Sequence, residues 1–338
     1  MSSQPLIEVA LYDLDSETAQ LVAEVFDRYG WGGAVTEQRI DDRGLMTTNV
    51  KTYVQAQNIE RLRHIEISLE LLNRVRAAHQ EPPVVAPTLR TLSETDWAEA
   101  WKANYHVFNV GQRLVVKPSW EPYDPKPHER VIEIDPGMAF GSGLHATTRL
   151  CLTLLEEHLC PGDAVLDLGS GSGILAIAAA RLGATSVLAL DIDPEAVCVA
   201  QENVQRNGLA FTIVVQHGTL APDGTLQIGS LPDSQPLLPA LSSSTSALLP
   251  SVSSGISGWN VILANLLAET IIVLAPALAR NLLPAGALIA SGIIPEQSDE
   301  VARALRAQGM EIIDQRAEEG WVAICARRPN EMSAGPNS

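Results

Sequence analysis

Aromatic side chains are scarce in this chain: Phe, Trp and Tyr make up 4% of its 338 residues, so a core must be assembled mainly from aliphatic side chains. Basic residues are also few. Lys and Arg total 23 against 40 Asp and Glu, a formal net charge of -17. That balance repels a polyphosphate backbone and disfavours nucleic-acid binding as a primary task, while it attracts basic partners at long range. The 4 cysteines, Cys151, Cys160, Cys198 and Cys325, form no CxxC pair and stand at no ligand spacing from histidine. A zinc site or redox motif is therefore not expected, and neither is any other metal. Isolated thiols in apolar surroundings point to core residues in a reducing cytoplasm. The opening MSSQPLIEVALYDLD lacks a basic stretch followed by an apolar one, so no signal peptide is expected. No uncharged run is long enough to span a bilayer, which leaves a cytoplasmic protein without a membrane partner as the expectation.

The first part of the chain reads as β-α-β-β-α-β. Alternation at residues 6–11 signals a strand, and a helix follows from Asp15 or Ser16 to near Gly30. Strand-like stretches at 34–40 and 50–54 flank the turn residues Asp41, Asp42, Arg43 and Gly44. A second helix spans Ile59–Ala78 with Leu62, Ile65, Leu69, Leu72 and Val75 on its apolar side, and an extended piece follows at Thr88–Leu92. This order predicts a small ferredoxin-like α+β domain over residues 1–85, with a flexible link near the Pro-rich residues 81–87.

Beyond residue 93, where Trp97, Trp101 and Trp120 cluster, strands alternate with helices. Strands are expected at 164–168, 186–190, 211–215, 261–264, 288–294, 310–314 and 321–326, with helices at 174–182, 194–206, 269–283 and 296–307. That alternation predicts a doubly wound, mostly parallel, seven-stranded α/β sheet over residues 86–330. Residues 219–258, rich in Ser, Leu and Pro, are far longer than the usual loop of about 12–15 residues and read as a flexible surface insertion. Residues 331–338 read as a disordered tail.

The strongest chemical signal is Val165-Leu166-Asp167-Leu168-Gly169-Ser170-Gly171-Ser172-Gly173-Ile174, an apolar strand ending in a glycine-rich turn that opens a helix. Glycine there permits a tight turn and the close approach of a ligand. About twenty residues on, the next strand ends in Asp191, where a carboxylate can accept both hydroxyl protons of a ribose. A dinucleotide site would place Gly or Ala as the last element of the turn, but Ile174 stands there, and the spacing G-x-G-x-G favours S-adenosylmethionine, which has no phosphate to cradle. Asp193-Pro194-Glu195 carries a helix-start signature, so Asp193 is a cap and Asp191 the ribose candidate. Asn265 follows the strand at 261–264 and reaches the edge where such sheets bind ligands. The residues after it are Leu266-Leu267-Ala268, without the Asn-Pro-Pro-aromatic run that clamps adenine or glutamine amides. Upstream, residues 135–148 (DPGMAFGSGLHATT) read as a loop moulded over a ligand, with Thr147 or Thr148 capping the next helix and His145 as an orienting group or base.

The runs DPGMAFGSGLHATTRLCL, VLDLGSGSGILAIAAARLGA, ALDIDPEAV, ENVQRNG, NVILANLLAE and PAGALIASGI, with Glu319-Gly320-Trp321, resemble the ribosomal protein L-eleven methyltransferase family (PrmA type) across roughly residues 93–328. WAEAWKANYHVFNVGQRLVVKPSW also resembles that family's entry into its catalytic domain. The resemblance implies donor contacts at Thr148, Gly169, Gly171, Asp191 and Asn265, with Phe140 and His145 lining the same pocket. It also implies that the amino-terminal domain recognises a ribosomal protein of the large subunit and presents its lysines and N-terminal amine. A monomer is expected. Ser170 stands where the family usually has Cys, Leu144 and Ala146 flank His145 where Thr and Pro are common, and the 219–258 insertion is the larger departure.

For such a reaction a lysine must lose a proton at about 4–5 kcal/mol at neutral pH, and an α-amino group at about 1 kcal/mol. No residue stands out as a dedicated catalytic base. Competing readings are a methyltransferase for another protein's lysines or a small metabolite, a donor-binding interaction protein without catalysis, and, more remotely, a nicotinamide enzyme.

Overall fold

The computed structural model describes residues 6–40, 46–56, 58–92, 105–135, 141–229 and 258–330. Trp97, Trp101, Phe140, the turn at 41–44 and most of the expected insertion and tail lie outside them. The chain divides into two compact units, Met1–His106 and Val107–Ser338.

The first unit contains β1 (Leu6–Leu14), α1 (Ser16–Tyr29), β2 (Trp31–Ile40), β3 (Met46–Gln55), α2 (Ile59–Ala78) and β4 (Thr88–Leu92). Its four strands form one antiparallel sheet in the order β2-β3-β1-β4. Because β4 pairs with β1 from Leu6↔Leu92 to Ala10↔Thr88, the sheet extends past the boundary expected at residue 85. Alternate residues Val9, Leu11, Val50 and Val54 point to one face, where they meet Val22 and Phe26 of α1 and Ile65 and Leu69 of α2. Asp15 caps α1 by accepting the Thr18 N–H at 2.8 Å and its hydroxyl at 2.7 Å.

Two expectations fail in this unit. Val75, assigned to the buried side of α2, is 57% exposed. The reason is geometric: Val75 lies on the four-residue row of Ile59, Arg63, Ile67 and Leu71, all exposed and turned away from the Ile65–Leu69 face. The Pro-rich stretch after α2 is tied down rather than loose. Asn73 exchanges hydrogen bonds with Val84 at 2.6 and 3.1 Å, and Arg76 donates to the Pro82 carbonyl at 2.8 Å while pairing with Glu81 at 3.2 Å.

The second unit opens with a small sheet that the sequence did not announce: β5 (Phe108–Val110), β6 (Leu114–Lys117) and β7 (Arg130–Glu133). It is fastened to α3 (Ala146–His158), where the Glu156 carboxylate accepts the backbone N–H groups of Gln112 and Arg113 at 2.7 and 2.6 Å. Next come β8 (Ala164–Leu168), α4 (Ile174–Leu182), β9 (Ser186–Asp191), α5 (Pro194–Arg206), β10 (Ile213–Leu220), β11 (Leu226–Ile228) and β12 (Trp259–Asn265). The unit closes with α6 (Ala268–Asn281), β13 (Leu282–Ile293), α7 (Pro295–Ala307), β14 (Glu311–Glu318) and β15 (Trp321–Arg327).

These strands form one sheet in the order β11-β10-β9-β8-β12-β13-β15-β14. The five from β10 to β13 are parallel, and β15 runs antiparallel to both its neighbours. The sheet therefore has eight strands instead of the expected seven. The extra one, β11, occupies part of the expected 219–258 insertion: β10 runs on through Leu220, turns at Asp223-Gly224, and returns as a hairpin with Gly218 facing Ile228.

Central strands read as mostly apolar runs because both faces are covered. Leu166, Leu188, Ile262, Leu288 and Ile324 are at most 1% exposed, each contributing about 2 kcal/mol on burial. Cys151 and Cys325 are buried as expected, but Cys160 and Cys198 are exposed. Cys160 sits in the turn after α3, where its N–H donates to Asp163, and Cys198 occupies the outer side of α5. Among the described residues no helix is long and apolar enough to cross a membrane.

Candidate functional site

Strand register sets the site. Leu168 of β8 pairs with Leu190 of β9 on one side and with Ala264 of β12 on the other. The residues that follow, Gly169, Asp191 and Asn265, therefore stand side by side on the carboxyl rim, with neighbouring strands about 4.8 Å apart. The chain leaves β8 toward β9 and β10 on one side and reaches β12 and β13 on the other, so β8 and β12 flank the switch point where such sheets open a crevice.

The glycine turn earns its glycines. Gly169, Gly171 and Gly173 have φ of 70°, 53° and 81°, the left-handed region that side-chain-bearing residues avoid. A Cβ on Gly169 would lie 2.6 Å from Leu266 Cδ2. The turn is latched to β9, as the N–H groups of Gly169 and Ser170 both donate to the Leu190 carbonyl, at 2.8 and 3.0 Å. Asp191 is latched in return: its Oδ2 accepts the Gly171 N–H at 2.8 Å and its Oδ1 the Asp193 N–H at 2.9 Å. Both oxygens are thus fixed in place, each with a lone pair to spare. Asp193 caps α5 by accepting the Glu195 N–H at 2.9 Å, the role its sequence context assigned it.

Thr148 is 1% exposed and its hydroxyl has no hydrogen-bond partner among the described residues, as is also true of the buried Ser170 hydroxyl. His145, and neither Thr147 nor Thr148, caps α3. Its Nδ1 lies 2.8 Å from Thr147 Oγ1, and its ring meets Trp321 edge-on at 5.2 Å. Asn265 is half-buried and donates from Nδ2 to Thr147 Oγ1 at 3.2 Å, so the structure joins Asn265 to Thr147 rather than to Thr148. Arg149 holds the β14–β15 turn against this corner through Glu318 at 2.6 Å and Glu319 at 2.8 Å, and donates to the Leu144 carbonyl.

Three further residues escaped sequence reasoning. Ser172 donates to the Gly141 carbonyl at 2.6 Å and fastens the upstream loop to the glycine turn. Thr147 registered only as a capping candidate. Asp167, fully buried under the turn, accepts the Ala176 N–H at 3.1 Å and so supplies the cap that Gly173 cannot give α4. Burial pushes its carboxyl up to about 7, against the pull of the Ala176 N–H and with a further push from Asp191. An acid two residues before the first glycine of the turn was the only signal for it.

A latched glycine turn, an acid at the adjacent strand end and an open switch point define a Rossmann-like α/β fold of the class that methyltransferases share. Comparison with known proteins is specific within that class. The family model for ribosomal protein L11 methyltransferase (PrmA) matches residues 7–228 and 243–329, and the chain belongs to that family. It is 47% identical over 232 residues to the ribosomal protein L11 methyltransferase of Chloroflexus aurantiacus, covering 65% of this chain and 69% of that one. To the protein of the same description from Pelotomaculum thermopropionicum it is 46% identical over 224 residues, covering 60% and 70%. Among solved structures, a ribosomal protein L11 methylase from Lactobacillus delbrueckii subsp. bulgaricus matches with a TM-score of 0.53 and 32% identity, over 67% of this chain and all of that one. The family match breaks only at residues 229–242, a narrower departure than the expected 219–258.

Proposed function

We propose that the chain transfers methyl groups from S-adenosylmethionine to lysine side chains and the N-terminal amine of ribosomal protein L11. The observation that carries this reading is the Asp191 carboxylate, locked by the Gly171 N–H at 2.8 Å beside a glycine turn with bare backbone. The residues present suit the donor. Asp191 offers two charged acceptors for ribose hydroxyls, Gly169 and Gly171 admit close approach, and Thr148 brings a buried hydroxyl without a partner among the described residues. Bound there, S-adenosylmethionine supplies an electrophilic methyl group on a sulfonium. Asn265, level with Gly169 on the rim, accepts a hydrogen bond from the incoming amine and aligns its lone pair, and water takes the proton. Alignment is the main source of rate, and no dedicated base is assigned. The net charge of -17 favours encounter with a lysine-rich protein.

The amino-terminal unit is read as a ferredoxin-like substrate-recognition domain, supported by its β-α-β-β-α-β order and antiparallel sheet. The exposed α2 ridge of Ile59, Ile67, Leu71 and Val75 is the surface assigned to the ribosomal protein. A cytoplasmic monomer without nucleic-acid or membrane partners completes the reading. Intact-mass measurement of L11 after incubation with the chain and donor tests it. Mass gains of whole methyl groups are expected, and an L11 unchanged in mass refutes the assignment.

A further inference from the structure

Thr147 is the second residue of α3 and 2% exposed, and its hydroxyl sits between two polar groups. On one side lies His145 Nδ1 at 2.8 Å, and on the other Asn265 Nδ2 at 3.2 Å. The Thr147 N–H also donates to His145 Nδ1, at 3.4 Å, as part of the helix cap. An imidazole nitrogen that accepts a backbone N–H carries no proton, so the Thr147 hydroxyl donates to it. A hydroxyl has one proton to give. Toward Asn265 its oxygen can therefore only accept, and the Asn265 NH2 must donate.

Donation thus runs in one direction, from Asn265 to Thr147 to His145. This settles which end of the carboxamide faces which way, a choice that an isolated Asn leaves open. The nitrogen is held by Thr147, and Oδ1 meets no hydrogen-bond donor among the described residues. We infer that Thr147 is a positioning residue for methyl transfer, holding the Asn265 carboxamide so that its oxygen faces the amine. The polarity matters chemically. An oxygen accepts the amine's N–H and leaves the nitrogen lone pair free to attack, whereas an NH2 end would occupy that lone pair. The far end of the chain is braced as well, since His145 abuts the Trp321 ring, whose hairpin is tied back by Arg149.

The inference rests on the proposed methyl transfer, and its test separates the two. Thr147→Val keeps the shape and removes the hydroxyl, while Thr147→Ser keeps the hydroxyl. With L11 and donor, the Val variant is expected to lose about tenfold in kcat, the worth of one hydrogen bond, with KM and donor Kd unchanged. The Ser variant is expected to recover most of it. In protein labelled with nitrogen-15 at asparagine, the Asn265 side-chain amide resonances should move in the Val variant and hold in the Ser variant. Wild-type turnover by Thr147→Val, equal losses in both variants, or unmoved resonances would each overturn the inference. If the resonances respond as expected but the wild-type protein methylates nothing, the catalytic reading falls and the role assigned to Thr147 falls with it, leaving only the hydrogen-bond chain.

Discussion

Replacing Asp191 by Asn keeps size and shape but turns one oxygen into an amide nitrogen. Both carboxylate oxygens now accept backbone N–H groups, from Gly171 at 2.8 Å and Asp193 at 2.9 Å. An Asn can offer oxygen to only one of them, and its NH2 confronts a second donor. Hydrogen bonds to charged acceptors contribute about 1.5–3 kcal/mol net, against about 0.5–1.5 kcal/mol for neutral pairs. Weakening one ribose contact and losing the other should remove about 3 kcal/mol from donor binding, roughly 150-fold in Kd. Folding should suffer less. Asp191 is only half-buried, so water can serve the freed N–H, at a loss of about 1 kcal/mol. Titration calorimetry with the donor, alongside thermal melts, separates the two effects. A Kd within about threefold of wild type would refute the ribose clasp, because no arrangement of an amide replaces two charged acceptors.

Asn265→Ala should cut turnover on L11 far more than donor binding in the same calorimetric assay; unchanged turnover rules out its role in holding the amine. Asp167 binds its proton more tightly folded, at about 7, than at the ordinary 3.8, so its stabilising contribution is full below about pH 4 and lost as pH rises through 7. Melting curves of Asp167→Asn and wild type should therefore diverge in the variant's favour between pH 4 and 7, and parallel profiles would contradict the burial argument. Gly173→Ala forces a left-handed φ of 81° on a side chain and sets its Cβ 3.2 Å from Ala200 Cβ. A stability loss of about 1–2 kcal/mol, and a fall of several degrees in Tm, is expected. Ile67→Asp with Leu71→Asp places charge on the exposed α2 ridge. L11 methylation should fall while donor Kd holds, and undiminished methylation would locate substrate binding elsewhere.

Gly169, Asp191 and Asn265 could be read from sequence because each ends an apolar strand, and the doubly wound pattern sends such ends to one rim. Their alignment could not, because it depends on the Leu168↔Leu190 and Leu168↔Ala264 register between strands distant in sequence. The β5–β7 sheet escaped for a related reason: its strands are three or four residues long and are held by pairings and by Glu156 rather than by periodicity. Val75 was misplaced because α2 is apolar on two sides, and a helical wheel cannot say which side meets the sheet. His145 as a cap was hidden by two threonines, the commoner capping residues, directly after it.

The hairpin of β10 and β11 has a further consequence. Gly229, which ends it, donates to the His217 carbonyl at 2.9 Å, and His217 is the residue opposite Asp191 on the neighbouring strand. The stretch where this chain parts from its family, 229–242, thus begins where β11 ends, two strands along the sheet from the proposed ribose acceptor. Because that departure begins beyond the last pairing of β10 with β11, the polypeptide can change length there while every pairing in the sheet persists. Relatives can therefore differ in that stretch without renegotiating the scaffold behind it.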